Sequence, residues 1–493
     1  MTKKAIIIGS GVGGLATAIR LAVQGFEVTV YEKNDYPGGK LSAFEKEGYH
    51  FDAGPSLFTQ PQLIEELFAF AGEPIANYFN YIPIDIACKY FYADGKILEA
   101  HTDPSKMAEE MQEQLGESAS AVKQYLQRSK KLYDNTGSIF LEHSLHKRNT
   151  WINKKIFKAL AATKYSYLFR SLHDYNRSQF KTAAATQLFD RYATYNGSNP
   201  YKAPAMLSLI PHIEFNEGVF FPKGGMISIT NALYKLAVDK GVQFHFNSPV
   251  QKIINNEGKL RGVVVNNKNV AADIVVSNMD AYFTYKELLN SDDKAKKILK
   301  QERSTSALVF YWGINKQFKQ LQLHNIFFSG DYQKEFDDLS KKKMLYDDPT
   351  VYVNITSAIE PAHAPAGRSN WFVMVNVPAN AGQDWGAIKQ QTRENVIQKL
   401  SAILQEDIAV LITTETILDP VLIEERTASY QGALYGSSSN SKLAAFLRPP
   451  NFTKKIKGLY FCGGTVHPGG GIPLCLRSAK IVSDLIKKQK RAH

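Results

Sequence analysis

"AIIIGSGVGGLATAIRLAVQGFEVTVYEK", residues 5–33, decides the reading of this chain. Residues 5–8 are apolar and mostly β-branched, the mark of a strand buried on both faces. Gly9, Gly11 and Gly14 follow in G-x-G-x-x-G spacing, with Gly13 in the same turn. Gly9 permits the sharp exit from the strand. Gly11, lacking a Cβ, lets a pyrophosphate lie against the backbone, and Gly14 lets the next helix pack close to the sheet. Residues 15–24 have helix-forming composition and Gly25 is a C-terminal cap. The start of that helix turns free N–H groups and a partial positive charge toward a phosphate. Residues 27–31 read as a second strand, and Glu32, 18 residues beyond Gly14, can bind ribose hydroxyls. The order strand, helix, strand and acid is that of a dinucleotide-binding unit. A glycine-rich turn with no ligand is the alternative.

Working outward, the 493 residues suffice for two or three domains with cores of their own. An apolar fraction of 44% and a charged fraction of 22% are ordinary for a folded globular chain. Cys88, Cys462 and Cys475 form no C-x-x-C pair and no metal-ligand spacing, so reduced thiols in a cytoplasmic protein are expected, with no metal. Residues 5–8 are too short for the apolar core of a signal peptide, and no window of roughly 18 uninterrupted apolar residues marks a transmembrane helix. The net charge of +12 suits an anionic membrane surface or nucleic acid, but no nucleic-acid module is recognisable.

"YPGGKLSAFEKEGYHFDAGPSLF" (36–58) comes next. Gly38-Gly39-Lys40 reads as a turn able to approach a diphosphate or a flat ring; residues 42–45 and 49–52 read as a hairpin; "AGPS" (53–56) makes a rigid turn. Residues 60–215 read as mostly helical. Within them "WINKKIFKALAATKYSYLFRSL" (151–172) has apolar residues at near-helical spacing among lysines, either a helix lying in a membrane interface or a surface helix packed on the core. Residues 219–253 read as glycine turn, helix and strand; 257–265 extends a hairpin; 270–278 is apolar enough to re-enter a buried parallel sheet. Residues 305–315 and 370–379 read as strands of an antiparallel sheet and 394–404 as a helix.

The far end, "GLYFCGGTVHPGGGIPLCLRSAKIVSDLI" (458–486), carries a last buried strand (459–462), a glycine turn and a helix (474–486). One βαβ unit needs one glycine loop. A second glycine-to-helix entry implies a cofactor large enough to use both, namely FAD.

These stretches together, with "PGGKLS" (37–42), "GP" (54–55), "FPKGGM" (221–226) and "GTVHPGGGIP" (464–473), resemble the bacterial carotenoid, or phytoene-type, desaturases of the amine-oxidase-like flavoproteins. "HPGGGIPLCLRSAK" (467–480) is more similar to the branch acting on hydroxylated or γ-carotene ends. Lys40 departs from the arginine common in that turn, keeping the charge and losing the bidentate fork. The resemblance implies an α/β fold. A discontinuous Rossmann-type FAD-binding domain (1–75, 216–280 and 421–493) would carry a helical, membrane-facing substrate region (76–215) and a substrate domain with an antiparallel sheet (281–420).

The activity implied is FAD-dependent 3,4-desaturation of a 1-hydroxylated or γ-carotene end at the cytoplasmic face of a membrane. The enzyme would be bound peripherally, with a quinone or O2 as terminal acceptor. Phytoene desaturation, non-redox carotene isomerisation and plain carotenoid binding are the competing readings. By family position Gly9, Gly11, Gly13, Gly14 and Glu32 hold the ADP half. Gly39, Lys40 and Leu41 line the diphosphate or ring, with Gly54 and Pro55 in the turn beneath it. Val250 meets the adenine through its backbone, and Gly464, Gly471 and Ile472 flank the ribityl chain and flavin. His467, Asp190 and Arg191 are the candidates for acid–base work or for orienting a hydroxylated end, and each also reads as purely structural.

Overall fold

Strand Lys4–Ile8 divides its side chains between two cores: Ala5 and Ile7 face one, Ile6 and Ile8 the other. That is the period of two expected of a strand, here with both faces covered. The computed structural model describes residues 2–147, 150, 165–441 and 448–491. Lys4–Ile8 is the centre of a five-stranded sheet in the order Leu459–Phe461, Ile274–Ser277, Lys4–Ile8, Glu27–Tyr31, Gln243–His245. Every pairing in it is parallel. Strands from the start, middle and end of the chain therefore share one sheet, as the sequence implies.

The first face is covered by helices Val12–Val23, Ile227–Asp239 and Ile472–Arg491, whose Leu15, Ile19, Leu233, Leu236 and Leu476 share a core with Ile7 and Val30. A side chain of this kind, fully buried, stabilises the fold by roughly 1.5–3 kcal/mol. The last helix starts at Ile472, two residues earlier than the sequence suggests. An antiparallel sheet of Val250–Asn256, Lys259–Val265 and Lys268–Ala271 covers the second face through Ile253 and Val263.

The hairpin Ala43–Lys46/Tyr49–Asp52 forms as expected. Its last residue supplies what helix Ile227–Asp239 lacks, a side-chain cap: Asp52 accepts from the backbone N–H of Met226 at 2.8 Å and of Ile227 at 3.1 Å. Caps of this kind are worth about 1 kcal/mol.

A seven-stranded sheet runs Ile412–Leu418, Ser306–Ile314, Ser369–Val377, Val351–Asn354, His324–Phe327, Ile86–Phe91, Ile97–His101. Ser306–Ile314 and Ser369–Val377 pair antiparallel in full register, setting the buried Trp312 opposite the buried Trp371. Helix Trp385–Leu404 covers one face. Strands Ile86–Phe91, Ile97–His101 and His324–Phe327 also share a core with the helical layer of Pro104–Leu115, Ala119–Glu142 and Ala183–Asp190.

The expectation of a mostly helical 60–215 is corrected at 81–101. Tyr81–Ile84 pairs with Val219–Pro222, and Ile86–Phe91 forms a hairpin with Ile97–His101. Asp94-Gly95 supplies the turn between them, a hairpin signal carried by the sequence. The basic helix read at 151–172 lies outside the described residues as far as 164. Beyond it a short helix, Tyr165–Phe169, is separate from Leu172–Arg177, and Tyr167 and Leu172 are buried in the core. Among the described residues no helix is long and apolar enough to cross a membrane.

Candidate active site

A cavity of about 900 Å³ is walled by both large sheets. One end is built from the glycine turns. Gly9, Gly11, Gly13, Glu32, Gly39, Lys40, Leu41, Gly54, Pro55, Val250, Gly464, Gly471 and Ile472 all line it. Gly14 does not. It packs instead, since a Cβ there would stand 2.2 Å from the Gly9 carbonyl oxygen. Gly54 is equally constrained, its Cβ position 1.7 Å from the Lys40 carbonyl oxygen.

Asn278, just after strand Ile274–Ser277, holds the two ends of the chain together. Its amide donates to the Cys462 carbonyl at 3.2 Å. A Cβ on Gly11 would meet its Oδ1 at 2.7 Å, and one on Gly463 its Nδ2 at 2.3 Å. A Cβ on Gly13 would come within 3.0 Å of the Gly463 Cα. The N-terminal and C-terminal glycine turns thus close against each other with no room for side chains between them. The family model described as flavin-containing amine oxidoreductase matches residues 12–487, from within the N-terminal glycine turn through the whole of the C-terminal one.

The chain belongs to the flavin-containing amine oxidoreductase family.

The residues of this family member fit FAD. Helix Val12–Val23 starts at Gly11 with no side-chain cap, so its first N–H groups are free for an anion. Gly471 at the head of the last helix has a φ of +106° and open space where a Cβ would sit, although it lines the cavity. Two cations, the buried Arg448 and the half-buried Lys40, line the same end. Lys40 donates to the Leu434 carbonyl at 2.9 Å, and Arg448 to the carbonyls of Tyr435 at 2.7 Å and Gly464 at 3.3 Å. Among the described residues neither forms an ion pair. Burial pushes the Lys40 ammonium down to about 8 against the opposing pull of Asp280, and the Arg448 guanidinium down to about 10. Two cations held in a dry wall by carbonyls alone suit a diphosphate and an anionic reduced ring. FAD is the cofactor.

The chain also matches relatives over nearly its full length. The 1-hydroxycarotenoid 3,4-desaturase of Flavobacterium sp. (strain P99-3) is 49% identical over 98% of this chain and 99% of its own. A 4,4'-diapolycopene oxygenase of Methylomonas sp is 33% identical over 98% of each chain. Among solved structures, a triple mutant of putrescine oxidase has a TM-score of 0.64 over 99% of each chain at 14% identity. An oxidoreductase from Methanosarcina mazei has 0.62 over 98% of this chain and 100% of its own, at 16%. The last two carry the fold alone.

The remainder of the cavity wall is mainly apolar. Ala307, Val309, Phe372 and Met374 come from the seven-stranded sheet, and Leu207 and Ile210 from the helical layer. The three residues singled out for catalysis do not converge there. Arg191 lines the cavity, over the rings of Tyr192 at 4.6 Å and Tyr195 at 5.3 Å, and its Nη2 donates to Glu214 at 3.2 Å. Asp190 is not on the wall. It accepts from His173 Nδ1 at 2.6 Å and Asn176 Nδ2 at 2.8 Å in a closed network, where burial raises its carboxyl above the usual range. His467 is not on the wall either. Its Nε2 donates to the His143 carbonyl at 2.9 Å, and burial pushes the imidazole down to about 4. The ring acts as a neutral strut between the C-terminal turn and the end of helix Ala119–Glu142. Asn278, Arg448 and the strand residues His324 and Tyr352 are wall residues that sequence reading did not single out.

Proposed function

We propose that this flavoenzyme is a carotenoid 3,4-desaturase acting on a 1-hydroxylated or γ-carotene acyclic end. The observation that carries the reading is the similarity, over 98% of the chain, to the Flavobacterium 1-hydroxycarotenoid 3,4-desaturase. The apolar wall beside the glycine turns supports it, because a polyene needs a dry channel and no polar partners along its length.

Desaturation removes a hydride from one carbon and a proton from its neighbour. Bound FAD would supply the hydride acceptor, with a quinone or O2 as the terminal acceptor. The chain's own residues do the rest. Gly9, Gly11, Gly13 and Glu32 hold the ADP half, with Val250 against the adenine and Gly14 packing the helix behind them. Gly39, Lys40, Leu41, Gly54, Pro55, Gly464, Gly471 and Ile472 hold the diphosphate and ring. Phe372, Met374 and Val309 align the chain and exclude water. The cation left by hydride loss is allylic to a polyene, so its proton is acidic and no strong base is required. His467 as a neutral strut accords with that. Because the substrate partitions into lipid, the reading includes peripheral attachment at the cytoplasmic face of a membrane. The net charge of +12 favours an anionic leaflet there.

Anaerobic mixing of holoprotein with a 1-hydroxylated acyclic carotene tests this. The flavin absorbance should bleach and the product should lose two hydrogens. In a parallel aerobic turnover, gain of an oxygen atom would favour the oxygenase chemistry named for the Methylomonas relative. An unchanged mass would favour isomerisation, and failure to bleach would overturn desaturation. Co-sedimentation with anionic liposomes at low salt checks the membrane component; protein that stays in the supernatant refutes it.

A further inference from the structure

The mainly apolar cavity has a polar corner that the cofactor does not explain. His324, Arg191, Tyr195 and Tyr352 all line the cavity. Tyr352 Oη lies 2.8 Å from Ser56 Oγ, in the turn that follows Gly54-Pro55, so the corner adjoins the flavin end. Among the described residues, Nε2 of His324, Nε of Arg191 and Oη of Tyr195 are buried and have no hydrogen-bond partner. Buried donors are rarely left unsatisfied, because each costs roughly 1–3 kcal/mol.

The hydrogen-bond network fixes which atom of His324 carries the proton. Nδ1 lies 3.1 Å from Asn354 Nδ2, which also donates to the Leu323 carbonyl at 3.0 Å, and 2.7 Å from Tyr352 Oη. An amide NH2 can only donate, so Nδ1 is the acceptor and bears no proton. Burial, with Arg191 adding to it, pushes the imidazole down to about 3, so the ring is neutral. Its single proton is therefore on Nε2, the nitrogen without a partner. Arg191 keeps its own charge by pairing with Glu214 and, being a nearby cation, holds the histidine in that neutral form.

We propose that His324 Nε2–H anchors the tertiary hydroxyl of the substrate's end group. The hydroxyl oxygen of a 1-hydroxylated end is only a few bonds from C3 and C4. An anchor beside the flavin end therefore sets which carbons reach the ring. An apolar wall alone holds a polyene in any register along its length; a single fixed donor selects one. This assignment rests on the desaturase reading above.

The test compares kcat/KM for a 1-hydroxylated acyclic carotene with that for the same carotene lacking the hydroxyl. Wild-type holoenzyme should prefer the alcohol by roughly 10- to 100-fold. In His324→Phe that ratio should collapse to within about threefold of unity, and His324→Gln, which restores an N–H donor, should recover most of it. Asn354→Leu leaves the ring in place but frees its tautomer, and should lower the ratio about threefold or more. It decides the matter should His324→Phe be isolated without flavin. A wild type with no preference, or a preference unmoved in both His324→Phe and Asn354→Leu, overturns the anchor while leaving the desaturase reading intact. A wild type that desaturates neither carotene sinks the parent reading instead.

Discussion

Glu32 accepts two hydrogen bonds from Ser10, from its backbone N–H at 2.7 Å and from its hydroxyl at 2.8 Å. Its other oxygen accepts from the Asn34 N–H at 3.0 Å. The end of the second strand is thereby tied to the glycine turn after the first, and the carboxylate proposed to take the ribose is already immobilised. Binding then costs little side-chain entropy. Replacement, Glu32→Ala, removes charge-assisted bonds and frees the turn. We expect FAD affinity to fall about 10- to 100-fold, read as recovery of flavin fluorescence on titrating apoprotein. An unchanged dissociation constant would remove Glu32 from the cofactor site.

Gly14 tests the packing role separately from the contact role. Its missing Cβ leaves the Gly9 carbonyl in place, where a methyl would stand 2.2 Å away. Backbone cannot rotate aside as a side chain can. Gly14→Ala should therefore push helix Val12–Val23 off the sheet, lowering unfolding free energy by about 1–3 kcal/mol and releasing flavin on gel filtration. Gly25→Ala is the control. Nothing lies near its Cβ, although its φ of +80° adds a modest conformational cost. Equal losses in both variants would mean that close helix–sheet approach is not what Gly14 provides.

Much of this was legible beforehand because it is local. The turn Gly9–Gly14, the acid at Glu32 and the cap-free helix start are each set by residues adjacent in sequence. The long-range partners were not. Asn278 touches the glycine turns only because its strand, Ile274–Ser277, lies between the distant strands Lys4–Ile8 and Leu459–Phe461, and nothing near residue 278 announces it. Arg448 has no local motif. His324 opens the short buried strand His324–Phe327, where a lone histidine reads as core. Its proposed anchoring role depends on Asn354 across the sheet. The strands at 86–101 were hidden differently: their Asp94-Gly95 turn was in plain view, but flanking helical patterns outweighed two short alternating runs.

His467 gives a pH prediction with a definite sign. Burial holds its imidazole at about 4, below the ordinary 6.5, so the folded state keeps it neutral where the unfolded state protonates. The unfolded chain binds more protons in that window, so stability is intact above pH 6.5 and is lost as pH falls toward 4. The loss is on the order of 3 kcal/mol from this residue. Urea melts of holoprotein from pH 7.5 to pH 4 should show a slope that flattens in His467→Gln. The kcat profile of wild type should show no inflection from His467 above about pH 5. Such an inflection, abolished by the substitution, would return His467 to the catalytic list.

Lys40 couples cofactor affinity to pH in the opposite direction. In the protein alone its ammonium is buried against a carbonyl and pushed down to about 8. The charged form is the one that attracts a diphosphate or a reduced ring, so FAD binding raises the pKa and takes up a proton at alkaline pH. Affinity should thus be flat below pH 7 and fall up to about tenfold per unit as pH rises past 8. Lys40→Met should bind FAD more weakly at pH 7 and lose that dependence, the two curves converging near pH 10. Lys40→Arg should bind FAD with no such dependence, because a guanidinium stays charged throughout. Isothermal titration in two buffers of different ionisation enthalpy counts the proton directly. Absence of proton uptake at pH 9, with wild type and Lys40→Met equally affine, would place the cofactor's anionic groups away from Lys40.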